Sequence, residues 1–104
     1  MRFTYYTDSS HGWLKVPVSV LQKFKVDLKI SNYSYLSPSK KFAYLEEDSD
    51  ANKLLTVLRK ENIEVVIVSP RHSRSTHIRR YPRYRDHYFN WTALASIFPD
   101  VEVV

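Results

Sequence analysis

Residues Ile63-Glu-Val-Val-Ile-Val68 are β-branched everywhere except at Glu64, and the run is apolar on both faces. A strand of that composition is expected at the centre of a sheet, with a packed layer on each side. The chain enters it from an amphipathic helix. Ala51, Leu54, Leu55 and Leu58 fall at helical spacing on one face, Val57 borders them, and Lys53, Arg59, Lys60 and Glu61 point to water. Ser49 or Asp50 is expected to cap the free amides of the first turn, and Asn62 suits a left-handed stop at the other end.

The flanking segments read as short elements. Arg2–Tyr6 and Trp13–Val16 form a hairpin around the polar turn Thr7–Gly12. Pro17 opens a helix through about Lys25, with Val18, Leu21 and Phe24 inward and Val20 beside them. Val26–Ile30 alternates like a strand, although it could also continue the helix. Ser31–Ser39 is a loop carrying Tyr33 and Tyr35, and Lys41–Glu46 is a further strand. Pro70 is expected to end pairing. A last helix at about 87–98 would place Tyr88, Trp91, Ala95 and Phe98 on one side, with Val101–Val104 a tail or edge strand. The expected fold class is α+β: a small, largely antiparallel sheet of about four strands with two to three helices packed on it. One domain, 1–104, carries an Arg-rich loop or arm at 71–85.

Composition excludes several chemistries. The chain has no cysteine, so disulfides, thiolate nucleophiles and Cys-ligated zinc are all absent. It has one glycine, Gly12, whereas phosphate-cradling loops need several. No apolar run approaches the roughly 20 residues of a membrane span. A cytoplasmic protein with no cofactor and no membrane partner is the expectation.

The charge distribution is more informative than the net charge of +5. Arg71, Arg74, Arg79, Arg80, Arg83 and Arg85 lie within fifteen residues that contain no acid, and the rest of the chain is nearly neutral. Every cation in that stretch is arginine, whereas lysine dominates elsewhere. Guanidinium groups bind phosphate bidentately and stack on bases, and Tyr81 and Tyr84 supply further stacking planes. These eight residues are the candidate nucleic-acid site. The structural alternative is a solvated arm whose arginines pair with Glu46, Glu47, Asp48 and Asp50, or with a partner's acids.

Other constellations have ordinary readings. Asp8, Ser9, Ser10 and His11 contain the residue types of a hydrolase triad, but triads are assembled from distant segments; Asp8 is expected to cap the turn, with His11 beside Trp13. His72 and His77 lack the spacing of helical metal ligands, and the acids before the long helix suit its positive end, so no metal site is expected. His11, His72 and His77 could supply the base and acid of phosphodiester cleavage, with Arg79 or Arg80 on the transition-state charge.

The blocks Tyr6-Thr-Asp8, His11-Gly-Trp-Leu-Lys-Val-Pro17, Ile30-Ser-Asn-Tyr-Ser-Tyr35, Tyr44-Leu-Glu-Glu-Asp48 and Ile78-Arg-Arg-Tyr81 together resemble a family of small uncharacterised proteins of bacteriophage and plasmid genomes. The likeness covers roughly residues 5–81. It implies a mobile-element accessory protein and carries over no catalytic role. The leading expectation is thus a non-enzymatic protein that binds nucleic acid, or a nucleic-acid-containing host complex, through the Arg/Tyr-rich segment. The alternatives are a protein–protein inhibitor of a host factor and a small metal-independent ribonuclease.

Overall fold

The computed structural model describes residues 1–72, 77–86 and 88. Its five strands are β1 (Arg2–Thr7), β2 (Gly12–Pro17), β3 (Tyr35–Leu36), β4 (Phe42–Glu46) and β5 (Val66–His72), in the order β3-β4-β2-β1-β5. All neighbours pair antiparallel except β1 and β5. Helices α1 (Val18–Lys23) and α2 (Asp50–Lys60) pack on one face, and 3-10 turns span Asp27–Lys29 and His77–Arg80. This is the expected α+β fold with one more strand, because β3 forms inside the stretch expected to be loop.

Successive strand residues point to opposite faces of the sheet, and the pattern here separates two cores. Leu14, Val16, Leu36, Ala43 and Leu45 meet Leu21, Leu54 and Leu58 of the helices in an aliphatic layer. The intervening residues Trp13, Tyr35 and Tyr44 meet Ile78 in an aromatic layer, with Tyr6, Phe42 and Tyr81 packed at its margin. Ala51, Leu54 and Leu58 of α2 are buried and Leu55 and Val57 are half-buried, as the helical spacing requires.

Both helices end alike. Lys25 N–H donates to Gln22 O and Val26 N–H to Leu21 O; Asn62 N–H donates to Arg59 O and Ile63 N–H to Leu58 O. Lys25 and Asn62 are left-handed, with φ of 59° and 57°, so each pair of bonds closes a helix on a left-handed residue.

Four local expectations are corrected. Val26–Ile30 is not a strand: the left-handed Lys25 turns the chain, and a 3-10 turn buries Val26 and Ile30 while leaving Leu28 outside. β5 is an edge strand among the described residues, not a central one, and Val66 and Ile67 stay 42% and 43% exposed. The run's inward contribution comes from Ile63 and Val65, which pack against the aliphatic layer before the strand begins. Pro70 does not end pairing. Thr4 faces Val68 and Tyr6 faces Arg71, so β5 carries an extra residue there, and an edge-strand bulge tolerates a residue without an N–H. Finally, neither Ser49 nor Asp50 caps α2 with its side chain.

Asp50 instead is wholly buried and holds a loop. It accepts hydrogen bonds from the Ser31 N–H and hydroxyl and from the Ser34 hydroxyl, and pairs with Lys53 at 2.9 Å. Burial alone would raise its pKa; the bonds from Ser34, Ser31 and Lys53 outweigh that and hold it below the usual value. The expected helix at about 87–98 and the tail 101–104 lie, apart from Tyr88, outside the described residues.

Candidate functional site

The Arg-rich stretch is not a solvated arm where it is described; it folds back over the aromatic face. Ile78, fully buried, is the anchor, seated with Trp13, Tyr35 and Tyr44. Tyr81 lies with its ring centre 5.3 Å from that of Tyr44, and His77 lies 5.3 Å from Tyr81. Farther along, Leu36 N–H donates to Pro82 O and Tyr84 N–H to Ser34 O, so residues 82–84 run alongside β3. Arg83 bridges to Tyr35.

That register turns Tyr84 inward. It is fully buried, its hydroxyl donates to Asp27 O at 2.8 Å, and its ring stacks on Tyr88 at 4.9 Å. Tyr84 is therefore a core residue and is withdrawn as a nucleic-acid contact. Alternation leaves Arg83 and Arg85 outside.

Arg79 pairs with Asp8, not with the acids before α2. Its Nε donates to Asp8 Oδ2 at 2.6 Å, and its Nη2 donates to Asp8 Oδ1 and Ser10 Oγ. Asp8 also accepts the Ser10 and His11 N–H groups, which makes it the turn residue expected from sequence. The bond from Arg79 is the chief reason its carboxyl stays well below the usual carboxylate range. The guanidinium then lies 5.1 Å over Trp13, and Arg83 lies 4.9 Å over Tyr35 while donating to Asn32 O.

A cleft of about 480 Å³ opens beside these two pairs. Trp13, Tyr33 and Tyr35 line it together with Arg79 and Arg83, with Glu46, Asp48 and Ser49, and with His11. Tyr33 is 69% exposed, so Tyr33 and Tyr35 face opposite ways, one to water and one inward. Trp13 Nε1 is a buried donor with no partner among the described residues. The cleft lining carries both signs of charge, guanidinium groups and carboxylates. His11, Glu46 and Glu47 are near enough to one another to share a metal ion.

Of the candidates read from sequence, Arg79 and Arg83 meet at the cleft, Arg80 and Arg85 are exposed, and Tyr81 is half-buried on Tyr44. Arg71 lies in β5 opposite Tyr6, and Arg74 lies outside the described residues. Trp13, Tyr33, Tyr35 and Ser49 line the cleft without having been expected at the site, whereas His11, Glu46 and Asp48 were named but not placed beside these arginines. For Trp13, Tyr35 and Glu46 the signal was the strand alternation, which places them on the face opposite Leu14, Leu36 and Leu45. Compared with models of known protein families, with curated proteins and with solved structures, the chain gives no significant match.

Proposed function

We propose that this chain is a non-enzymatic, nucleic-acid-binding accessory protein of a phage or other mobile element, and that it grips a single-stranded segment across the cleft. The observation that carries this reading is the pair of guanidinium groups laid over Trp13 and Tyr35 at the mouth of a concave site. Each guanidinium is held over a ring, and Arg79 Nη1 and Arg83 Nε and Nη2 make no hydrogen bond among the described residues. Such groups suit phosphate oxygens. Exposed Tyr33 offers a stacking plane in place of Tyr84, and Arg80 adds positive charge nearby in sequence. Glu46 and Asp48 repel a phosphate and can accept base amino groups, so phosphates are expected nearer the arginines and base edges nearer the acids.

Fluorescence anisotropy with labelled single- and double-stranded DNA and RNA tests the reading. Single strands should bind with an affinity that falls steeply with salt, since each phosphate contact contributes a slope of about −0.7 on single strands. Arg83→Ala should weaken binding and flatten that slope by roughly one contact, and Tyr33→Ala should cost about 1–3 kcal/mol if a base stacks there. Absence of binding even at low salt would overturn the proposal in favour of a protein partner. His11 lines the cleft with both arginines, which favours the ribonuclease reading in part; cleavage of the labelled strands, abolished in His11→Ala, would replace binding by catalysis.

A further inference from the structure

Three acidic side chains are buried among the described residues: Asp8, Glu46 and Asp50. Arg79 neutralises Asp8 and Lys53 neutralises Asp50. Glu46, 8% exposed, pairs with no cation among the described residues. A buried carboxylate is compensated by hydrogen-bond donors, a basic side chain or a metal ion. Glu46 Oε2 accepts the Asp48 N–H at 3.0 Å and the Ser49 N–H at 3.1 Å, while Oε1 accepts no hydrogen bond among the described residues. The groups gathered beside it are metal ligands. One atom each from His11, Glu46 and Glu47 lies within 4.8 Å of the others.

We propose that His11, Glu46 and Glu47 form a binding site for a divalent transition-metal cation, Zn²⁺ or Mn²⁺, at the edge of the cleft. The two carboxylates balance the charge of the ion, and one imidazole with two carboxylates matches the preferences of these metals. Metal–ligand bonds of about 2.0–2.2 Å require the ligand atoms to draw in on the ion, and the exposure of His11 and Glu47 leaves their side chains room to turn.

Outer contacts already hold the two carboxylates and the backbone of His11, as is general around metal ligands. Asp8 fixes the backbone of His11, donating to its carbonyl at 2.9 Å and accepting its N–H at 2.9 Å. The Tyr5 hydroxyl donates to Glu47 Oε2, which leaves Oε1 for the ion. Tyr5 reaches Glu47 only because residue 12 is glycine: a Cβ there would sit 1.9 Å from the Tyr5 hydroxyl oxygen. The single glycine of the chain thus supports the site. Three protein ligands leave coordination positions for water or for an oxygen of a molecule in the cleft. This assignment stands apart from the nucleic-acid reading and survives its failure.

The test is calorimetric titration of untagged, EDTA-treated full-length chain with Zn²⁺ and Mn²⁺, with Co²⁺ absorption as a spectroscopic probe of the ligand set. One equivalent of Zn²⁺ or Mn²⁺ should bind. His11→Ala and Glu47→Gln, both at exposed positions, should each weaken binding by about tenfold or more and change the Co²⁺ spectrum. Arg83→Ala should leave metal affinity unchanged. Glu46→Gln should bind least, and circular dichroism will show whether it folds; His11→Ala and Glu47→Gln decide the matter if it does not. No 1:1 binding at millimolar metal, or binding unchanged in both exposed-site variants, would overturn the site.

Discussion

Along β2 and β4, neighbouring residues enter two different layers. Leu14, Ala43 and Leu45 enter an aliphatic layer closed by α1 and α2, whereas Trp13, Tyr44 and Glu46 enter one made of rings, guanidinium groups and carboxylates. Methyl groups offer nothing to a polar partner, so the first layer is stable only when dry and closed. Aromatic rings accept cations on their faces and carry hydroxyls at their tips, so the second layer can remain partly open to water. The closed aliphatic layer lies on one side of the sheet and the open, charged cleft on the other.

Substitution on the aliphatic side gives the largest expected effect. Leu54→Ala, at a fully buried position of α2, should cost about 2–5 kcal/mol in urea unfolding yet leave the nucleic-acid affinity of the folded protein unchanged. Equal damage to both properties would dissolve the division between the faces. A smaller effect is expected for Asp8→Asn, which removes the anchor of Arg79. Because the folded-state pKa of Asp8 is depressed, the unfolded chain takes up its proton first as pH falls. The stability that Asp8 contributes is therefore present above about pH 4 and lost below it. Asp8→Asn should be less stable at neutral pH and lose less on acidification, with a residual acid limb from Asp50, whose shift has the same sign. Urea titrations between neutral and acid pH would show this, and parallel curves for the two proteins would contradict it. Arg83→Ala should change stability least, by about 0.5 kcal/mol, while weakening binding.

The sequence made the α+β class legible through its periodicities: the stripe Ala51, Leu54, Leu58, the hairpin around Asp8, and the alternation in Phe42–Glu46. Strand order was not legible, because a β-branched run such as Ile63–Val68 satisfies an edge against a parallel neighbour as readily as a centre. At the site, the clustering of arginines was plain in one dimension, but their partners were not. Arg79 meets Asp8 from the far end of the chain, and only the fold puts Trp13 beneath it. Tyr84 misled because an Arg-Tyr-Arg triplet looks alike whether its ring faces water or core. Gly12 carried no sign of its role, which depends on a ring arriving diagonally from β1.

The left-handed helix ends have a practical consequence for anyone wishing to make the protein more heat-resistant. Lys25 occupies a conformation that costs an L-residue roughly 1–2 kcal/mol, in a chain that has almost no glycine to spend on such positions. Glycine there escapes the steric clash and gives back about 0.5–1 kcal/mol in backbone entropy. Lys25→Gly, at an exposed residue remote in sequence from the cleft, should therefore raise the melting temperature by a few degrees and leave binding untouched. Thermal margin could then be raised without altering the cleft.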